Sequence, residues 1–231
     1  MHKKLSNNNK NHLDTNSEIW DSIYKSNNSI LSFPNEHFVR LFYRNLLDLG
    51  PNFLDWGIGS GNNASLMTLL GKNVFGTEVS EYSIKLVHKL YKKQFNKKIQ
   101  IDHINNNILN FKNNFFDCIV SWQVQCYNDN NTFKNFLNES YRCLKPNGLL
   151  IFTLTDLSDI IFENSNKINK NTYICNFQNQ KGITLFALEN PMEISKFIQG
   201  FSILDIGFFS YELHKKQSKH WVFCLEKKST I

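Results

Sequence analysis

Leu54-Asp55-Trp56-Gly57-Ile58-Gly59-Ser60-Gly61 decides how this chain is read. Asn52-Phe53-Leu54 ends an apolar run of strand character, an acid closes it, glycines fall at 57, 59 and 61, and Ala64 to Leu70 has helical character. A strand that turns through glycines into a helix presents unpaired backbone N–H groups and lets a ligand approach the main chain closely. The stretch is a nucleotide-binding turn, and its spacing excludes two common kinds. A dinucleotide fingerprint would carry its third glycine three positions after the second, where Asn62 stands. A GxxxxGK phosphate loop is absent too, because Gly71-Lys72 is followed by Asn73 and lacks the upstream glycine.

Two acids narrow the ligand further. A carboxylate immediately before the turn repels a pyrophosphate but suits an ammonium group, at about 1.5–3 kcal/mol for a charge-assisted hydrogen bond. About twenty residues on, Asn73-Val74-Phe75-Gly76-Thr77-Glu78 forms a second strand that again ends in an acid. Glu78 is placed to take both hydroxyls of a ribose. Asp55 and Glu78 together describe an aminoacyl nucleoside with nothing strongly anionic in its middle.

On these residues the chain resembles the class I S-adenosylmethionine-dependent methyltransferases, whose acid-x-Gly-x-Gly-x-Gly motif is matched from Asp55 to Gly61. Ile108-Leu109-Asn110-Phe111 followed by Phe116-Asp117-Cys118-Ile119-Val120-Ser121 is similar to the approach to that family's fourth strand. Arg142-Cys143-Leu144-Lys145-Pro146-Asn147-Gly148-Leu149-Leu150-Ile151 is similar to its turn into the fifth. The resemblance extends from about Phe53 to Lys227. It implies S-adenosyl-L-methionine as cofactor, S-adenosyl-L-homocysteine as product, and Asp55, Gly57, Gly59, Gly61 and Glu78 as cofactor-binding residues. Where the family commonly has an aspartate that meets the adenine amino group, this chain has Asn105 or Asn106, whose amides still accept that hydrogen bond. Asn147 stands for the first of a usual glycine pair, which asparagine's tolerance of the left-handed region allows.

Strand and helix patterns alternate from Phe53 to Leu154, which predicts an α/β fold with a doubly wound parallel sheet. The resemblance implies seven mostly parallel strands with an antiparallel last strand. Two closing strands, Phe201 to Leu213 and His220 to Glu226, are spaced as an antiparallel hairpin. Helices are expected at Ser17 to Lys25, Glu36 to Asp48 behind an Asn35 cap, from Ser80 through Tyr91, and Asn131 to Leu144. Asn190-Pro191-Met192-Glu193 reads as a cap, a first-turn proline and a capping-box acid for a helix to Gln199. Residues 1–16 are expected to be a solvated tail, and 17–231 one methyltransferase domain. Within it, 17–49 form an N-terminal helical lid and 155–189, too long for a plain connector, a variable substrate region.

Composition fits that reading. The 231 residues are 41% hydrophobic with twenty phenylalanines, enough for one substantial core. None of the five cysteines forms a CxxC pair, and Cys118, Cys143 and Cys224 read as buried free thiols, so a cytoplasmic location is expected. No apolar run has the length of a signal peptide core or a membrane span. The net charge of +6 is carried by scattered lysines with only Arg40, Arg44 and Arg142 beside them, so nucleic acid is not the expected partner. The histidines lack close ligand spacing, and no metal is expected. The expected partner is a small-molecule substrate, on a monomer or homodimer.

The acceptor should lie opposite Asp55, between the first and fourth strands. Trp122, Gln123 and Tyr127 make a substrate wall there, although Trp122 would serve equally well in the core. Trp20 and Tyr24, followed by Phe33-Pro34-Asn35-Glu36, resemble the lid of small-molecule and sugar-pathway members of the family; packing of their helix on the sheet is the competing use. A hydroxyl or ammonium acceptor would need a base, for which His103, Asp156, His214 and His220 are the candidates. The expected function is methyl transfer to a small polar metabolite, a sugar or other intermediate of a surface-polysaccharide or natural-product pathway. The alternatives are an RNA or protein methyltransferase, which would show a continuous basic face at the pocket, and a non-catalytic cofactor-binding module.

Overall fold

The computed structural model describes residues 12–27, 29–104, 108–213 and 216–229. In chain order its elements are α1 (His12–Lys25), α2 (Glu36–Leu41), β1 (Asn52–Trp56), α3 (Asn62–Leu69), β2 (Asn73–Glu78), α4 (Glu81–Phe95), β3 (Gln100–His103), β4 (Phe116–Ser121), α5 (Asn130–Cys143) and β5 (Leu144–Thr155). Three short strands follow, β6 (Asn166–Lys167), β7 (Thr172–Ile174) and β8 (Thr184–Phe186), then the long pair β9 (Phe201–Leu213) and β10 (Lys216–Lys227). The main sheet has seven strands in the order β3-β2-β1-β4-β5-β10-β9. Strands β1 to β5 run parallel, and β10 lies antiparallel between β5 and β9. The expected antiparallel last strand is therefore present, inserted inside the sheet and leaving β9 at the edge.

A sheet covered on both faces needs apolar residues at successive positions, each pointing the opposite way. Leu54, Ile119, Phe152 and Phe223 enter one core with Phe133 and Phe136 of α5. Their neighbours Phe53, Cys118, Val120, Ile151 and Val222 enter the other, against Phe38, Phe42, Met67 and Val87. The strand order reverses between β1 and β4, which opens a crevice beyond their carboxyl ends.

Caps follow the sequence closely in places. Asn35 accepts from the His37 N–H, Ser80 from the Ser83 N–H, and Asn147 takes a left-handed φ of 62° near the start of β5. Four readings change. Helix α1 begins at His12, so residues 12–16 are helical rather than tail, and Asn16 is buried. Its side-chain amide donates to the Tyr127 carbonyl (2.9 Å) and accepts from the Thr184 N–H (3.3 Å), contacts that no local pattern announces. The expected helix from Glu36 to Asp48 is α-helical only to Leu41 and continues as a π turn, Phe42–Leu46. The wider turn holds Phe38, Phe42 and Leu46, spaced by four, on one fully buried line where a pure α-helix would drift. The segment after Asn190 is a 3-10 helix, Pro191–Lys196, that stops short of Gln199. Its Glu193 turns away from the cap to pair with Lys170 (3.0 Å) and Lys196 (2.5 Å).

Residues 155–189 fold into a small antiparallel sheet, β6-β7-β8, over a core of Ile161, Tyr173, Cys175, Ile183 and Leu185. Ile19 and Trp20 of α1 and Tyr127 after β4 pack against that core. Ser17 Oγ bonds the Val79 carbonyl (2.7 Å), and Asp21 accepts from Ser80 Oγ and the Tyr82 N–H. Helix α1 is thus fastened both to the end of β2 and to the small sheet. No helix among the described residues is long and apolar enough to cross a membrane.

Candidate active site

A cavity of about 710 Å3 lies in the crevice. At one end stands Asp55, 3% exposed. One of its oxygens accepts from the Ala64 N–H, the third residue of α3, so this acid caps the helix that Gly61 opens without a side chain. The other oxygen, Oδ2, is buried with no partner. Burial, with the Glu78 carboxylate nearby, pushes the Asp55 pKa up from 3.8 to about 8. Glu78 is also buried: Oε2 accepts from the Gly59 N–H (2.9 Å), while Oε1 holds the Val79 and Ser80 N–H groups (2.8 and 3.0 Å). Burial raises its pKa against the pull of those three donors.

The turn between the acids leaves no room for side chains. At Gly59, where φ is 52°, a Cβ would stand 2.8 Å from the Tyr24 hydroxyl, and at Gly57, where φ is 75°, one would stand 2.6 Å from a Val124 methyl. Tyr24 and Trp20 cover the turn from α1. Trp20 lies 5.8 Å from Tyr24 and meets Tyr127 edge-on at 5.0 Å. Burial, Glu78 and Asp55 all raise the Tyr24 pKa, so its hydroxyl keeps its proton.

The far end is built from amides, hydroxyls and one imidazole. Gln123 follows β4 with a left-handed φ of 58°, a strained state for a non-glycine residue, and its N–H donates to Thr153 Oγ1 at 2.7 Å. Its Nε2 lies 3.0 Å from His220 Nε2, which is also 3.0 Å from Ser218 Oγ; Thr155 Oγ1 lies 3.4 Å from His220 Nδ1. Thr155 and His220 face each other across β5 and β10, and Ser218 and His220 share a face of β10. Burial, aided by His37, pulls the His220 pKa down from 6.5 to about 4, so the ring is neutral. Asp159 is satisfied by the Ile161 and Lys219 N–H groups (2.9 and 2.7 Å).

A buried acceptor without a donor at Asp55, a turn that admits no side chain, and a carboxylate at the end of β2 fit a ligand with an ammonium at one end and a ribose at the other. Glu78 Oε2 is the oxygen with room for a hydroxyl, because three N–H groups already use most of the roughly four acceptor sites of this carboxylate.

Comparison with known proteins agrees with this chemistry. A family model described as a methyltransferase domain matches residues 54–152, the span from the glycine turn into β5. Residues 54–152 are a methyltransferase domain, and the chain as a whole has the fold of the class I S-adenosylmethionine-dependent methyltransferases. S-adenosylmethionine is its cofactor. A solved S-adenosylmethionine-dependent methyltransferase of Methanosarcina mazei is 15% identical, with a TM-score of 0.66 over 86% of this chain and 100% of that one. A protein described by the conversion of a disulfide bond into a thioacetal group during echinomycin biosynthesis is 13% identical, with a TM-score of 0.70 over 92% of each chain. The 4+2 cyclase SpnF is 15% identical, with a TM-score of 0.66 over 93% of this chain and 95% of that one. Identities this low report the shared fold alone. No curated protein sequence matches the chain.

In this methyltransferase Asp55, Gly57, Gly59 and Glu78 meet at the cavity, as do Trp20, Tyr24, Trp122, Gln123 and Tyr127. Gly61 stands back from it, toward Val87 of α4. Asn105, Asn106 and His214 lie outside the described residues. Trp122 serves mostly the core: it is 6% exposed, stacks on Phe209 at 5.6 Å and tilts against Phe38. Of the candidate bases, His220 alone among the described ones lines the cavity. His103 is exposed at the end of β3, with Nε2 2.9 Å from the Val79 carbonyl. Asp156 is committed to Trp221 Nε1 (2.7 Å) and the Ser158 N–H (2.9 Å), and hydrogen bonds hold its pKa low despite partial burial. Asn63, Gln180 and Ser218 join the lining without having been expected. Asn63 and Gln180 each carry a buried oxygen with no partner. Only Ser218 had a usable signal, its two-residue spacing from His220.

Proposed function

We propose that this methyltransferase acts on a small polar metabolite, of the kind met as a sugar or other intermediate in natural-product or cell-surface pathways. The cavity carries the reading. Its volume of about 710 Å3 falls within the roughly 300–1,000 Å3 of small-molecule sites, and α1 and the small sheet roof it where a polymer would need an open groove. Asp55 would hold the ammonium of the cofactor, Glu78 its ribose, and the bare turn at Gly57 and Gly59 would admit the chain between them. Bound S-adenosylmethionine supplies an activated methyl group. The protein aligns the acceptor, keeps water out beneath Trp20 and Tyr24, and sets His220 on the cavity wall as the candidate base among the described residues.

No lysine or arginine lines the cavity among the described residues, which argues against the basic face that an RNA or protein substrate would require. The similarity to a protein of echinomycin biosynthesis supports the small-molecule reading. Calorimetry with S-adenosylhomocysteine tests the cofactor half. Absence of binding near pH 8 would remove it.

A further inference from the structure

We infer that Gln123, Thr155, Ser218 and His220 form the acceptor subsite, and that it takes an uncharged, hydroxyl-bearing molecule. This rests on the methyl-transfer reading above and adds the chemical class of the acceptor. The chain as a whole is cationic, at +6, yet the described lining of its cavity carries three carboxylates, Asp55, Glu78 and Asp159, and no lysine or arginine. Lys219, next to His220 in the chain, directs its Nζ to Ser158 Oγ instead (3.0 Å). A phosphate or carboxylate entering here would lose its hydration and meet no counter-charge among the described lining residues. A cationic acceptor would meet a single carboxylate at this end, Asp159, each of whose oxygens is already shared with a backbone N–H, rather than the dedicated partners a buried charge requires.

What the subsite offers is neutral and directional. The Gln123 amide, two hydroxyls and an imidazole converge within 3.0–3.4 Å of His220 ring atoms. His220 is buried and uncharged, so it presents one lone pair and one N–H rather than a charge. Gln123 holds its amide there at the cost of a left-handed backbone, anchored through Thr153. Strain kept at a ligand-facing residue and pinned by a dedicated hydrogen bond marks a position where orientation matters. A hydroxyl group, which donates once and accepts twice, matches this set.

The experiment uses the full chain with S-adenosylmethionine bearing a deuterated methyl group and a small-molecule extract of the source cells. Products are separated on anion- and cation-exchange resins and read by mass spectrometry. The deuterated methyl group should appear in material that neither resin retains, and Gln123→Ala or His220→Asn should lower it at least tenfold. Affinity for S-adenosylhomocysteine should stay within twofold in both variants. Label in the fraction held by either resin overturns the uncharged class, and undiminished labelling by both variants overturns the subsite. Failure of S-adenosylhomocysteine to bind the unaltered chain would instead bring down the methyl-transfer reading, and this inference with it.

Discussion

The two ends of the cavity are built by different means. At the glycine turn the groups that matter are backbone N–H donors and two buried carboxylates, supplied by a strand end and the helix after it. At the far end they are neutral side chains, brought together from β4, β5 and β10 by sheet register. The first end is charged and fixed by local sequence; the second, Asp159 apart, is neutral and fixed by the fold. A charged, locally built end suits a ligand that never changes. A neutral end assembled across strands can be altered residue by residue.

Substitutions can break this contrast, and the largest effect is expected at Glu78. Glu78→Ala should weaken S-adenosylhomocysteine binding by about ten- to a hundredfold. It should also lower Tm, because the Gly59, Val79 and Ser80 N–H groups lose their acceptor. Loss of Tm with unchanged affinity would make Glu78 purely structural.

Asp55 should give the next largest effect, and one that depends on pH. Its folded pKa stands near 8 against 3.8 in an unfolded chain. Between those values the folded protein keeps a proton that the unfolded chain has released, so ligand-free stability falls as pH rises from about 4 to about 8. Cofactor binding needs the carboxylate, so affinity should rise about tenfold per pH unit up to about 8. It should fall again as the ligand's own amino group, with a reference pKa of about 7.7–8.0, deprotonates. Calorimetry in two buffers at pH 7 should detect about one proton released per cofactor bound. Asp55→Asn should abolish that release and, at pH 8, raise the Tm of the ligand-free protein while weakening binding.

Asn16→Ala probes the roof. It strands the Tyr127 carbonyl and the Thr184 N–H, at about 1–3 kcal/mol. Hydrogen exchange should quicken in α1 while the glycine turn stays protected; equal quickening in both would mean that the two ends open together. The smallest shift is expected from Gln123→Gly. Relief of its φ of 58° should stabilise the fold by about 1 kcal/mol, a Tm gain of about 2–4 °C, with S-adenosylhomocysteine affinity unchanged. A loss of Tm would show that the amide contact with His220 outweighs the strain.

The same contrast explains what the sequence made legible. Asp55, Gly57, Gly59 and Glu78 could be found because a strand, a turn and a helix N-terminus are local objects with local residue requirements. Asn147 and the caps at Asn35 and Ser80 were readable for the same reason. His220 could be named only as one of four candidate bases, since its neighbours Gln123 and Thr155 are 97 and 65 positions away. Gln180 and Asn63 gave no signal, because an amide in a polar stretch looks the same whether or not it faces a cavity. The start of α1 was misplaced because polar residues 12–16 read as solvated, whereas Asn16 is held by partners that no window of sequence contains.

That hold on Asn16 has a consequence in time. Its partner at Thr184 is 168 residues further along the chain. During synthesis, α1 emerges long before its seat on the small sheet, which does not exist until residue 184 has been made. Strands β1 to β5 can pair before then, leaving the crevice open to solvent. Helix α1 can therefore reach its partners at the end of β2 well before its seat on the small sheet, and β10, which brings His220, is made later still.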